Sequence, residues 1–152
     1  MMQHKNLIVW DWAQTLITPA FPLKGVSELL DKLSDFDHAV LSNGSQQIIT
    51  QQAITLGWHK YFKVIRGGDE FQKPDPRAMY SLLVILGVSP GPHVLMIGDS
   101  ESDMLCARNA GCSWLLVGDD GDVSFDVLRK MNTRDFLDKT YTRVDDCASG
   151  AT

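Results

Sequence analysis

The chain has 152 residues, the size of one domain able to bury a core. Hydrophobic residues make up 44% and charged residues 22%, with a net charge of −5, so neither a disordered chain nor a basic nucleic-acid binder is indicated. No apolar run is long enough for a membrane span, and the opening MMQHKNLIVW lacks the apolar stretch of a signal peptide. Three cysteines (Cys106, Cys112, Cys147) without a CxxC pair, and four scattered histidines, point to neither a disulfide framework nor a zinc site. The expected location is cytoplasmic.

Short apolar runs alternate with helical patterns. NLIVW (6–10) predicts the first strand. Val26, Leu29, Leu30 and Leu33 recur at helical spacing, which predicts a helix over about 24–34. HAVLS (38–42) predicts the second strand. Ile48, Ile49, Ala53 and Leu56 predict a second helix, stopped by Gly57. YFKVI (61–65) reads as the third strand. Pro76 to Leu86 opens with proline and stops at Gly87, a helix with both end signals. HVLMI (93–97) is the fourth strand. Ser100 to Ala110 begins with Ser-x-x-Asp, a capping box in form, and ends at Gly111. SWLLV (113–117) is the fifth strand. Near-continuous apolar strands separated by helices predict an α/β fold with a five-stranded parallel sheet. The segment 1–140 reads as one domain, and the small, polar stretch 141–152 as a flexible tail.

Ligands of open parallel sheets sit at the carboxyl ends of the strands. Asp11 follows the first strand. Ser42, Asn43 and Gly44 follow the second. Gly67, Gly68 and then Lys73 follow the third, and Gly98, Asp99 and Asp103 follow the fourth. Asp11 and Asp99 could share a hard cation, and magnesium prefers carboxylate oxygens. Ser42 and the backbone amides around Asn43 and Gly44 precede a helix, a place that attracts an anion. Lys73 adds a positive charge for a carboxylate and a phosphate. A carboxylate nucleophile, a hydroxyl donor, a lysine and a cation suffice for phosphoryl transfer to aspartate.

As an ordered set, these residues resemble the haloacid dehalogenase-like (HAD) hydrolases over about residues 6–118. The first motif, Asp-x-Asp-x-Thr, corresponds to Asp11, Ala13 and Thr15. The others correspond to Ser42 in VLSNG, Lys73 in KPDP, and Gly98, Asp99 and Asp103 in IGDSESD; NAG (109–111) is also similar to the family. The resemblance implies a three-layer Rossmann-like domain and a magnesium-dependent phosphohydrolase. Asp11 would form an aspartyl-phosphate. Asp11, the Ala13 carbonyl and Asp99 would bind Mg2+. Ser42 and Lys73, with Asn43, would hold the phosphoryl group. Asp103 would support the metal shell or pair with Lys73, and Thr15 would orient the first loop.

Ala13 departs from the pattern. Most phosphatases of the family carry an aspartate there, which protonates the leaving alkoxide and then activates water. Alanine does neither, and a positioned acid/base contributes roughly 10²–10⁴-fold, so slow turnover is expected. Glu70 and Glu101 are candidate substitutes. The alternative is a non-catalytic or weakly active member that binds phosphate compounds or a partner. A second alternative is carbon–phosphorus cleavage: DWAQT resembles the Asp-x-Ala-Gly-Thr of phosphonoacetaldehyde hydrolases, which use a cap-domain lysine. Asp11 and Ser42 stand 31 positions apart, as do Ser42 and Lys73, leaving no room for a cap. A capless site is open and implies either covering by homo-oligomerisation or a large substrate, so both a phosphorylated small molecule and a macromolecular phosphate stay in view. Trp12 either walls the pocket or packs under the first loop; Trp58 and Trp114 read as core.

Overall fold

The computed structural model describes residues 6–18, 21–118 and 127. Five strands form one parallel sheet: β1 (Leu7–Trp10), β2 (Asp37–Leu41), β3 (Val64–Arg66), β4 (Val94–Gly98) and β5 (Ser113–Leu116). Their spatial order is β3-β2-β1-β4-β5. Four helices alternate with them: α1 (Val26–Lys32), α2 (Gln46–Leu56), α3 (Pro76–Leu86) and α4 (Glu101–Asn109). The predicted α/β class and parallel sheet are therefore observed. The expected tail at 141–152 lies outside the described residues.

The strands β1 and β4 are buried along their whole length. Covered on both faces, they need no polar alternation, which explains their continuous apolar runs. The chain runs outward through β2 and β3, then returns across β1 to β4. Right-handed crossovers place α1 and α2 on one face and α3 and α4 on the other. Trp58, at the end of α2, donates to Ser27 of α1 at 3.2 Å. The reversal of direction falls between β1 and β4, which pair in register from Leu7–Val94 to Trp10–Ile97. A crevice opens at such a switch point.

Helix boundaries follow their end signals. Asp75 caps α3 by accepting from the Arg77 amide at 2.9 Å, and Gly87 closes it in the left-handed region. Helix α1 is shorter than the spacing predicts, because Gly25 in the left-handed region sets its start and Leu33 its end. The third strand is displaced from 61–65. His59–Tyr61 form a 3-10 turn, and only Val64–Arg66 pair with β2. As an edge strand β3 is half-buried, so its apolar signal is weak, while Tyr61 and Phe62 serve the core beside it. Trp58 and Trp114 are core, as predicted.

Candidate active site

The first loop folds tightly after β1. The Trp12 carbonyl accepts from the amides of Thr15, Leu16 and Ile17. Gln14 adopts a φ of 66° within this turn, a left-handed conformation that costs a non-glycine residue about 1–2 kcal/mol. The turn buries Thr15 completely. Its hydroxyl lies 3.3 Å from both Asp11 Oδ2 and Asp99 Oδ1. One proton is thus shared between the carboxylates ending two neighbouring strands.

Lys73 is 5% exposed. Its Nζ donates to Asp11 Oδ1 at 2.8 Å, to Asp103 Oδ1 at 2.7 Å and to the Leu41 carbonyl at 2.8 Å. An ammonium has three protons, so all are used. Burial works against its charge, yet Asp11 and Asp103 outweigh burial and hold its pKa above the ordinary lysine value. Lys73 is a fixed cation. Burial pushes the Asp11 carboxyl above its ordinary value, against the pull of Lys73, and the hydrogen bond with Asp99 adds to the rise.

The Asn43 side chain clasps Lys73 at its backbone. Its Oδ1 accepts from the Lys73 amide at 2.8 Å and its Nδ2 donates to the Lys73 carbonyl at 3.1 Å. This carboxamide is committed to positioning, a use the sequence did not reveal. Ser42 Oγ accepts from the Gly44 amide at 3.0 Å, which leaves the hydroxyl proton for another acceptor. The start of α2 is satisfied by the protein's own anion: the Gln46 amide donates to Asp69 Oδ1 at 2.9 Å. Gly68 lies so close to Asn43 that a Cβ would meet its backbone at 2.7–2.9 Å.

Asp103 is almost fully buried. Besides Lys73, it accepts from the Ser100 amide at 3.1 Å and the Ser100 hydroxyl at 2.9 Å. A Cβ on Gly98 would collide with this carboxylate, so Gly-Asp-x-x-x-Asp requires its glycine.

Carboxylate oxygens of Asp11, Asp99 and Asp103 lie within 4.8 Å of one another. Three carboxylates face one ammonium, an excess of two negative charges in a half-dry site. Hard oxygen donors and that excess fit a divalent magnesium ion. Asp103 accepts bonds from Lys73 at 2.7 Å and from the Ser100 amide and hydroxyl at 3.1 and 2.9 Å, whereas Asp11 Oδ2 and Asp99 Oδ1 share the longer 3.3 Å contact with Thr15, so Asp11 and Asp99 are the less committed candidates for direct ligands.

Beside these groups lies a cavity of about 400 Å³. Asp11, Ala13, Ser42, Asn43, Lys73 and Asp103 all reach it. Trp12 is 2% exposed, packs edge-on against Trp58 and Phe62, and also lines the cavity. Glu70 pairs with Arg66 at 2.8 Å, and neither Glu70 nor Glu101 is among the described lining residues. Sequence reasoning missed a wall from the first loop and α2: Ile17, Ile48, Ile49 and Gln52. Ile49 belongs to the core, but Ile48 is 59% exposed.

Strand order and site together define a doubly wound α/β domain with an acidic, lysine-pinned centre at its switch point. A family model described as haloacid dehalogenase-like hydrolase matches residues 8–117, and the chain belongs to that family. A phosphoglycolate phosphatase of Vibrio parahaemolyticus is 36% identical over 92 residues, covering 58% of this chain and 40% of that protein. The chain thus spans less than half the length of this relative. A crystal structure of a HAD-superfamily hydrolase from Ehrlichia chaffeensis matches 88% of this chain and 98% of its own, with a TM-score of 0.76 at 19% identity, a likeness of fold. A magnesium-bound HAD-type hydrolase of Bacillus subtilis matches at 26% identity and a TM-score of 0.58, over 64% of this chain and 45% of that one.

Proposed function

We propose that the protein is a capless, magnesium-dependent phosphohydrolase that works through an aspartyl-phosphate on Asp11, slowed by Ala13. The observation that carries this reading is the buried Lys73 held between Asp11 and Asp103, beside a second carboxylate from the neighbouring strand. A surface ion pair needs no such burial, and a burden of this kind is typical of functional sites. Asp11, Asp99 and the Ala13 carbonyl would hold the metal, which when bound supplies charge to the phosphoryl oxygens. The Vibrio relative's name and the magnesium in the Bacillus structure point the same way.

In the reaction, one Asp11 oxygen attacks phosphorus and the bond to the leaving oxygen breaks. The Ser42 hydroxyl donates to a phosphoryl oxygen, and Lys73 keeps Asp11 ionised and aimed. Asn43 fixes Lys73 through its backbone clasp. Water then attacks the aspartyl-phosphate, releasing phosphate and restoring Asp11. No described lining residue replaces the missing acid/base, so the leaving group departs without an enzyme-borne proton. That same observation supports the second reading, a member that binds phosphate compounds with little turnover. Carbon–phosphorus cleavage has less support, because Lys73, the one lysine among the described lining residues, is held as an ammonium and offers no free amine. Release of phosphate from acetyl phosphate with magnesium, lost in Asp11→Asn, tests the proposal. Magnesium and phosphate binding without release would favour the second reading.

A further inference from the structure

Resting on the phosphohydrolase reading, we infer that the pocket selects phosphates whose organic part is uncharged and apolar, aryl phosphates above all, and discriminates against a carboxylate-bearing substrate such as phosphoglycolate. The cavity's charged lining residues are Asp11, Lys73 and Asp103. Its apolar lining comes from Trp12 and Ile17 of the first loop and from Ile48 and Ile49 of α2, with Gln52 one turn further along that helix. Trp12 Nε1 donates to Gln52 Oε1 at 2.8 Å. This bond fixes which way the carboxamide faces and gives the wall a neutral NH2 donor, not a cation.

Lys73 is the one cation among the described lining residues, and its three protons are taken. A phosphate seated on the Ser42 hydroxyl beside Asp11 would have the Trp12–Ile48 wall as the apolar surface open to its organic part. A carboxylate there would lose water without gaining a charged partner. A phenyl ring would gain aromatic and aliphatic contacts instead, and a cavity of about 400 Å³ holds it. The chemistry agrees: without an acid at position 13, a phenolate departs with its electron pair and takes its proton from water, and a carboxylate departs and stays ionised.

Calorimetric binding of three non-hydrolysed probes in magnesium tests the inference: orthophosphate, phenylphosphonate and phosphonoacetate. Phenylphosphonate is expected to bind at least about tenfold tighter than phosphonoacetate. Ile48→Arg, a change at an exposed helix position, should narrow that ratio about tenfold by giving the carboxylate a partner, with circular dichroism verifying the fold. Equal or tighter binding of phosphonoacetate, while orthophosphate binds, overturns the selectivity and leaves the phosphohydrolase reading standing. Absence of orthophosphate binding overturns that reading itself, and the selectivity with it.

Discussion

Lys73 and Ala13 decide opposite aspects of the site. Lys73 is paired with two buried carboxylates at once. Removing one member of a buried ion network leaves uncompensated charge and costs about 3–5 kcal/mol. Lys73→Met should therefore lower stability by about that amount in urea unfolding, and abolish phosphate release. On the proposed reading the Ala13 side chain bears on rate, while its carbonyl stays available to a metal. Ala13 is exposed on the first loop and reaches the cavity, so an aspartate fits there without burial. Ala13→Asp should raise turnover of alkyl phosphate esters by roughly 10²–10⁴-fold, and that of aryl phosphates far less, because a phenolate leaves without the proton. Steady-state rates on a matched alkyl and aryl pair measure the difference. No change in either, with magnesium still bound, would show that more than an acid is missing.

At the scale of elements, the strand ends and helix starts fix the site. Gly98, the last residue of β4, abuts the Asp103 carboxylate at the first turn of α4. Gly98→Ala would push Asp103 away from Lys73, and overpacking of this kind costs about 1–3 kcal/mol. The expected result is a lower urea midpoint together with loss of activity; an unchanged midpoint would contradict the close packing. Much of this was legible in the sequence. Central strands buried on both faces write themselves as apolar runs, and residues just after β1, β2 and β4 border the candidate site. The edge strand β3 was misplaced because half-burial leaves no such run. The wall on α2 was invisible for another reason: Ile48 and Ile49 look alike in a helical pattern, and only the packed helix shows that both line the cavity, Ile49 from the core and Ile48 from an exposed position. The Asn43 clasp and the Asp69 contact to α2 each join distant segments by polar bonds, which no periodicity records.

At the scale of the whole molecule, the core carries a pH dependence separate from the site. Trp10 Nε1 donates to His38 Nδ1 at 2.9 Å, so Nε2 bears the proton and donates to the Leu33 carbonyl at 2.8 Å. Burial holds the His38 pKa below its ordinary value. Unfolding restores about 6.5, so the unfolded chain takes the proton first as pH falls. His38 thus favours folding fully above about pH 6.5, and that contribution is lost as pH drops below it. Unfolding midpoints measured from about pH 7.5 down to about pH 5.5 should decline in the parent, and the decline should flatten in His38→Gln. The sheet built around this core brings residues from four strand ends to one switch point, and the account rests on what Asp11 does there. The most direct measurement is mass spectrometry of the protein quenched in acid after mixing with acetyl phosphate and magnesium. The account predicts a phosphoryl group on the peptide bearing Asp11, accumulating because Ala13 supplies no base for its hydrolysis, collapsing in Ala13→Asp and absent in Asp11→Asn. A chain that binds magnesium and phosphate yet shows no adduct, or carries it on another residue, would contradict it.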